Sequence, residues 1–257
     1  TLMNWKEIFK LPDNCTLNIP ITKVSLKEQD GITISEAKLL DGSDVQSIRI
    51  FGIVSKGNAN IPESVDDSQS FVEVYFIVVS LRSDVYEKNY KPVARLIHKL
   101  IPHHCLVILQ SEDESLSHIS LSTKTINKND QRLRVISDEL FSVLINDEQT
   151  DFLEALSFAN ANTINLKSFY EYYLQVIKSY NLIDLTKKFK IRTYEMTEEL
   201  LIINESVENY QSEINLQQKQ LKSVTQMREK VRINSEIHGL KEKIQELKVK
   251  IDQNGKD

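Results

Sequence analysis

The spacing of hydrophobic and polar positions changes several times along the chain, and each spacing predicts an element. Met3 to Leu11 places Trp5, Ile8 and Phe9 on one side of a short amphipathic segment, which Asp13-Asn14 ends with turn chemistry. Ser47 to Val54 alternates and is rich in β-branched residues, so it predicts a strand. Residues 55–69 gather Gly57, Pro62 and small polar residues, and predict a mobile loop. Phe71 to Leu81 is the most hydrophobic strand, with an apolar run too long for a sheet edge; it predicts a central strand buried on both faces. Ser83-Asp84 offers an N-cap for a helix over Val85 to Ile101, with Val93, Leu96, Ile97 and Leu100 at helical spacing and Pro102 as its stop. Cys105 to Leu109 predicts a third buried strand and Leu116 to Thr123 a fourth, with Glu112-Asp113-Glu114 at the hairpin end.

After Asp130 the pattern reads as helical. Asp151 to Ala159 and Leu166 to Tyr180 show three-and-four spacing, joined by a linker over residues 160–165. Phe169, Tyr170, Tyr173, Leu174, Ile177 and Tyr180 form one broad stripe, which predicts core packing, with Tyr172 the tyrosine left toward solvent. One strand, a helix and further strands describe an α+β fold, a small mixed sheet with packed helices, and not a repeated βαβ series. No repeat at a period of 20–50 residues is visible, which excludes a solenoid.

From about Thr193 to Ile251 the composition shifts to Glu, Lys, Gln, Leu and Ile, with no proline and Gly239 as the only glycine. Apolar residues fall at Ile203, Val207, Tyr210, Ile214, Leu221 and Val224. A second register runs through Ile237, Leu240, Ile244, Leu247 and Ile251 at the heptad spacing that buries a narrow seam. The two registers do not join: carrying the first through Met227 and Val231 puts Asn234 and His238 on the seam. The mismatch, in Gln226 to Asn234, marks either a stutter in one rod or the elbow of a helical hairpin. A rod of about 58 residues would be roughly 87 Å long, and a hairpin about half that. The expected organisation is an α+β domain over 1–190, followed by a coiled-coil or helical-hairpin tail over 191–257.

Composition narrows the function classes. The chain of 257 residues is 40% hydrophobic and 27% charged, enough to bury a core, which excludes disorder throughout. Six glycines and five prolines leave little material for phosphate loops or a turn-rich β fold. A net charge of -5 argues against a stand-alone nucleic-acid binder, so nucleic acid is expected only indirectly. Two cysteines, Cys15 and Cys105, cannot form a disulfide framework and fit a reducing compartment. With no membrane-length apolar run and no apolar signal core in Thr1 to Lys6, a cytoplasmic protein is expected.

Candidate chemistry is sparse. His98, His103, His104 and Cys105 lie close in sequence, but His98 sits in a helix, and His104 and Cys105, adjacent on a strand, should point to opposite faces. No metal and no cofactor are expected. Asp44 and Glu73 could be the acids of a divergent Mg²⁺-dependent nuclease, although Tyr75 stands where that chemistry wants Lys. The alternative for Glu73 is solvent or an ion pair with Arg49 on the neighbouring strand. Lys219, Lys222, Arg228, Lys230 and Arg232 surround the break in the tail, either as a solvated face or as a contact for an acidic partner or phosphate. The Gly-x-Ser-x-Gly, His-Glu-x-x-His, Cys-x-x-Cys and P-loop patterns do not occur.

Several stretches, taken in order, resemble a bacterial family designated as a domain of unknown function. They are Leu11-Pro12 with Ile19 to Lys23, Val72 to Arg82, Leu96 to Leu109, Leu166 to Glu171, and most specifically Gln226 to Ile237 with Leu240-Lys241 and Leu247. The resemblance implies a small α+β domain with a C-terminal helical tail. It also implies a gene beside a DNA methyltransferase and a superfamily-2 helicase in restriction-type phage-defence operons. The chain departs from the family in Leu81-Arg82, where Leu-Lys is usual, and in an apparent insertion over 55–69. The family supplies no catalytic residues to carry over.

These readings lead to one expectation: an accessory, non-catalytic subunit of a defence complex that docks to a helicase or methyltransferase. The body and the seam of Ile237, Leu240, Ile244, Leu247 and Ile251 would make the contact. The rival readings are a divergent nuclease subunit of the same system and a homodimeric structural coiled coil.

Overall fold

The most apolar run of the sequence organises the first of two units into which the chain divides, residues 1–181 and 182–257. The computed structural model describes residues 3–29, 31–130 and 134–254; Thr1 and Leu2, at the head of the segment read for a signal core, lie outside them. Unit one begins with α1 (Trp5–Phe9), β1 (Thr16–Pro20), α2 (Lys23–Lys27) and α3 (Ile34–Leu40). There follow β2 (Val45–Ser55), α4 (Lys56–Ala59), β3 (Ser64–Val65), β4 (Ser70–Phe71) and β5 (Glu73–Leu81). Then come α5 (Tyr86–Leu100), β6 (His104–Ser111), β7 (Ser117–Ile126), β8 (Arg134–Phe141), α6 (Thr150–Ala155) and α7 (Leu166–Tyr180).

Six strands form one mixed sheet in the order β1-β2-β5-β6-β7-β8, and β3 and β4 make a small separate ribbon. Only β5 and β6 pair in parallel, from Val74 opposite His104 to Leu81 opposite Ser111; the other ladders of the large sheet are antiparallel. A parallel pair needs a crossover, and α5 supplies it. On the α5 side, Ile77, Val79 and Leu81 of β5 and Cys105, Val107 and Leu109 of β6 pack with Val93, Ala94, Leu96 and Ile97 of the helix. On the other side Phe76 is the hub: its ring lies 5.2 Å from Phe9, 5.9 Å from Phe51, 6.3 Å from Phe169 and 5.8 Å from Tyr173. The α+β class is thus observed, with β5 central and buried on both faces.

Several expectations are corrected. Residues 134–141, assigned to a helical region, form strand β8; Arg134, Asp138 and Glu139 mask its alternation because both faces of that strand are largely exposed. Residues 55–69 are not a plain loop. Asn58 closes a capping box on Ser55 to start α4, and Ser64-Val65 pairs with Ser70-Phe71. The short edge strand β1 and the helices α2 and α3 carried too little periodicity to be read. At the bulge in β2, a Cβ on Gly52 would lie 2.2 Å from Leu11 Cδ1 and 3.3 Å from the Cys15 carbonyl, so glycine lets that segment lie close on the strand.

Buried strand ends need hydrogen-bond partners, and at one end of the β6–β7 ladder side chains provide them. The register runs from Gln110 opposite Ser117 to Leu106 opposite Leu121. One residue further on, the Tyr170 hydroxyl accepts from the Ser122 amide (2.9 Å) and stands within donating distance of the Ser122 and Cys105 carbonyls (3.0 and 3.1 Å). Next, the Lys124 amide donates to His104 Nε2 (3.4 Å), and the Lys124 ammonium donates to the carbonyls of Ile101 (2.5 Å) and His103 (2.6 Å). That ammonium stabilises the C-terminal carbonyl end of α5.

The second unit is α8 (Ile183–Thr186), α9 (Tyr194–Ser223) and α10 (Met227–Asn254). Thr193 caps α9 by accepting from the Met196 amide (3.3 Å). A three-residue link joins two helices of 30 and 28 residues, each about 45 Å long, so the hairpin and not the rod is formed. They pair antiparallel: Gln217 donates to Glu236 (3.3 Å), Lys243 stands 5.4 Å from the Tyr210 ring, and Ile251 packs with Leu200.

Tyr170→Phe removes the hydroxyl that serves the ladder end and leaves the Ser122 amide without its partner. We expect a loss of about 1–3 kcal/mol, read as a lower urea midpoint at unchanged slope. An unchanged midpoint would show that the ladder does not depend on this hydroxyl.

Candidate functional site

The β2–β5 ladder decides the nuclease reading. Val45, which follows Asp44, pairs with Leu81, whereas Glu73 pairs with Ser55. The two acids therefore lie at opposite ends of β5, roughly 25 Å apart at strand rise, and no single metal ion can bridge them. Asp44 is engaged with Arg82 (3.5 Å) and Asn89 (3.1 Å). Glu73 accepts from the Tyr75 hydroxyl (2.8 Å) and faces His103 Nε2 at 3.7 Å. It does not pair with Arg49, which lies opposite Val78.

The histidine cluster divides between the faces of the sheet. His104 stacks on Phe71 (3.8 Å) beside Tyr170, while Cys105 packs with the α5 core. His98 bonds through Nε2 to Ser120 Oγ (3.0 Å), and its Nδ1 is buried with no partner among the described residues. Desolvation, with the nearby Lys124 charge as a second cause, pushes His98 far down and holds His104 at about 3. Burial likewise lowers His118, stacked on Tyr90, to about 4. Lys124 is itself pushed down by burial. Tyr170, Tyr173 and Tyr180 are core residues, and the partly exposed Tyr172 donates to the Ala155 carbonyl (2.8 Å).

In the hairpin, Ile237, Leu240 and Ile244 are buried with Ile214 and Ile233 between the two helices, Ile251 packs with Leu200, and Leu247 is half-buried. The seam is thus closed by the chain's own α9. Continuing the first register fails because Met227 and Val231 point outward, 76% and 61% exposed. The basic residues gather around the link. Arg232 is held by Glu229 (2.6 Å) and Glu236 (2.5 Å), whereas Lys219, Lys222, Arg228 and Lys230 make no ion pair among the described residues. Leu216, 67% exposed, stands on α9 within one turn of Lys219.

A feature that the sequence did not announce lies on the α1 side of the sheet, toward the C-terminal ends of the parallel strands. It is an open cleft of about 330 Å³, lined by Trp5, Lys6, Arg49, Phe51, Val78 and Gln110. Trp5 Nε1 donates to Gln110 Oε1 (2.9 Å), which fixes both side chains. Arg49 Nε donates to Asn18 Oδ1 (3.0 Å), leaving the two terminal guanidinium nitrogens without a partner among the described residues. Glu114, at φ 58° in the β6–β7 turn, stands at the rim, where a second hollow carrying Asp113 and Asp147 begins. The lining comes from five separate stretches of chain, so no local motif marks it.

Residues 9–244 match the family model described as Domain of unknown function (DUF4391). The chain belongs to the DUF4391 family. The matched stretch takes in every strand from β1 to β8 and the hairpin up to Ile244, while Trp5 and Lys6 of the cleft precede it. The chain matches no curated protein and no solved structure. Among the described residues no helix is long and apolar enough to cross a membrane.

The buried histidines set an acid limit on this fold. Their folded pKa values lie below the ordinary value of 6.5, so the folded state favours the neutral ring while the unfolded chain takes up protons below that pH. Stability is therefore full above about pH 6.5 and falls as pH drops toward 4 and 3. His104 alone is expected to contribute a loss of about 2 kcal/mol at about pH 5. Urea midpoints at about pH 7.5 and 5 check this, and equal midpoints would show that these rings protonate freely in the fold.

Proposed function

We propose that this DUF4391 chain is an accessory, non-catalytic interaction subunit of a bacterial restriction-type defence complex, acting in the cytoplasm. On this reading its hairpin tip docks to a helicase or DNA methyltransferase partner. The observation that carries the reading is the composition of the tip. Leu216, Met227 and Val231 are exposed apolar side chains in the same stretch as Lys219, Lys222, Arg228 and Lys230, which no acid of the described chain neutralises. Exposed apolar side chains among unpaired cations suit a partner surface that is apolar and acidic. The seam residues serve this role indirectly: burying Ile237, Leu240 and Ile244 against α9 makes the arm stiff. The place in a defence operon rests on the family resemblance.

The test is co-expression with the neighbouring helicase and methyltransferase, followed by affinity capture of the tagged chain. The double variant Met227→Asp/Val231→Asp changes only exposed positions, so helix content by circular dichroism should be unchanged while recovery of the partner falls at least about tenfold. Recovery of neither enzyme with the unaltered chain, or equal recovery with the variant, removes the proposal.

A further inference from the structure

We propose that the cleft between α1 and the sheet is a binding site for a small organic anion with one oxyanion head group and a ring-sized apolar body. The geometry has three parts. The floor and one wall are apolar and aromatic, from Phe51, Val78 and Trp5. The anchor is Arg49, whose Nε is committed to Asn18 while its terminal nitrogens form no ion pair with an acid of the described residues. A carboxylate or phosphate offers two oxygens to such a guanidinium edge, and Lys6 adds a second positive charge to the lining. Gln110, clamped by the Trp5 indole, contributes an oriented amide.

Size and charge set the class of ligand. A volume of about 330 Å³ is at the small end of ligand sites and suits a single ring with its head group. The carboxylates at the rim, Glu114 and then Asp113 and Asp147 of the adjoining hollow, repel an extended polyanion, so a nucleic-acid backbone does not fit where a monoanion does. The cleft is built from residues of the first unit alone, and the proposal does not rest on the defence reading.

Trp5 is the only tryptophan, so its fluorescence reports directly on the cleft. The full chain is titrated with phenyl phosphate, benzoate and uncharged benzyl alcohol. A saturable change in emission is expected with at least one anion, at least about tenfold tighter than with benzyl alcohol. The stronger anion identifies the head group as phosphate or carboxylate. Arg49→Gln should weaken that binding about tenfold at an unchanged melting temperature, and Lys6→Gln, at an exposed position, should weaken it less. No saturable change with either anion up to about 10 mM, equal binding of benzyl alcohol, or undiminished binding by folded Arg49→Gln overturns the proposal. Should Arg49→Gln fail to fold, the preference for anion over alcohol and the Lys6→Gln titration decide.

Discussion

The parallel pairing of β5 with β6 is the constraint from which the rest of the first unit follows. Two parallel neighbours cannot be joined by a tight turn, so the chain must leave the sheet, cross as α5 and return. The crossover covers one face, and the opposite face, equally apolar, must be covered by α1 and α7 through the rings around Phe76. Both ends of the pair then raise a problem of their own. At the His104 end, buried backbone groups are satisfied by Tyr170 and Lys124, where a longer ladder would otherwise serve. At the Gln110 end the cover stops short, and the cleft is the space α1 leaves uncovered.

How far the fold could be read in the sequence followed the burial of each element. β5, α5, β6 and α7 stood out because both faces, or one clean stripe, are apolar; the spacing of Phe169, Tyr170, Tyr173 and Ile177 predicts the observed helix over Leu166–Tyr180. β8 was hidden because a strand exposed on both sides has no reason to alternate. The ribbon over residues 64–71 was hidden because two-residue strands carry no period at all. The seam of the tail was legible, but its partner was not: heptad spacing states that a face is buried, and not which helix buries it. The switch of register at Met227 was the local sign of a turn.

The candidate sites were less legible than the fold, for a related reason. Asp44 and Glu73 were paired on the strength of residue type, and strand register separated them. Trp5 and Arg49 were each read as an element position and Gln110 fell just beyond the predicted strand, and only the order of strands brings them to one cleft. The lone tryptophan stood 44 positions from Arg49 in sequence, with nothing local to link them. It gained meaning only from the hydrogen bond between Trp5 and Gln110, residues more than a hundred positions apart.

The two outermost strands have a consequence for how this molecule meets others. β1 ends in Pro20, which has no amide hydrogen, and is only five residues long. β8 carries Asp138 and Glu139, with Glu139 tied to Arg95 of α5 (2.7 Å). Both margins thus have features that natural sheets use to refuse a further strand. A peptide or a second copy that tried to extend the sheet would meet a missing donor on one side and fixed charge on the other. Recognition by strand addition is disfavoured in this unit.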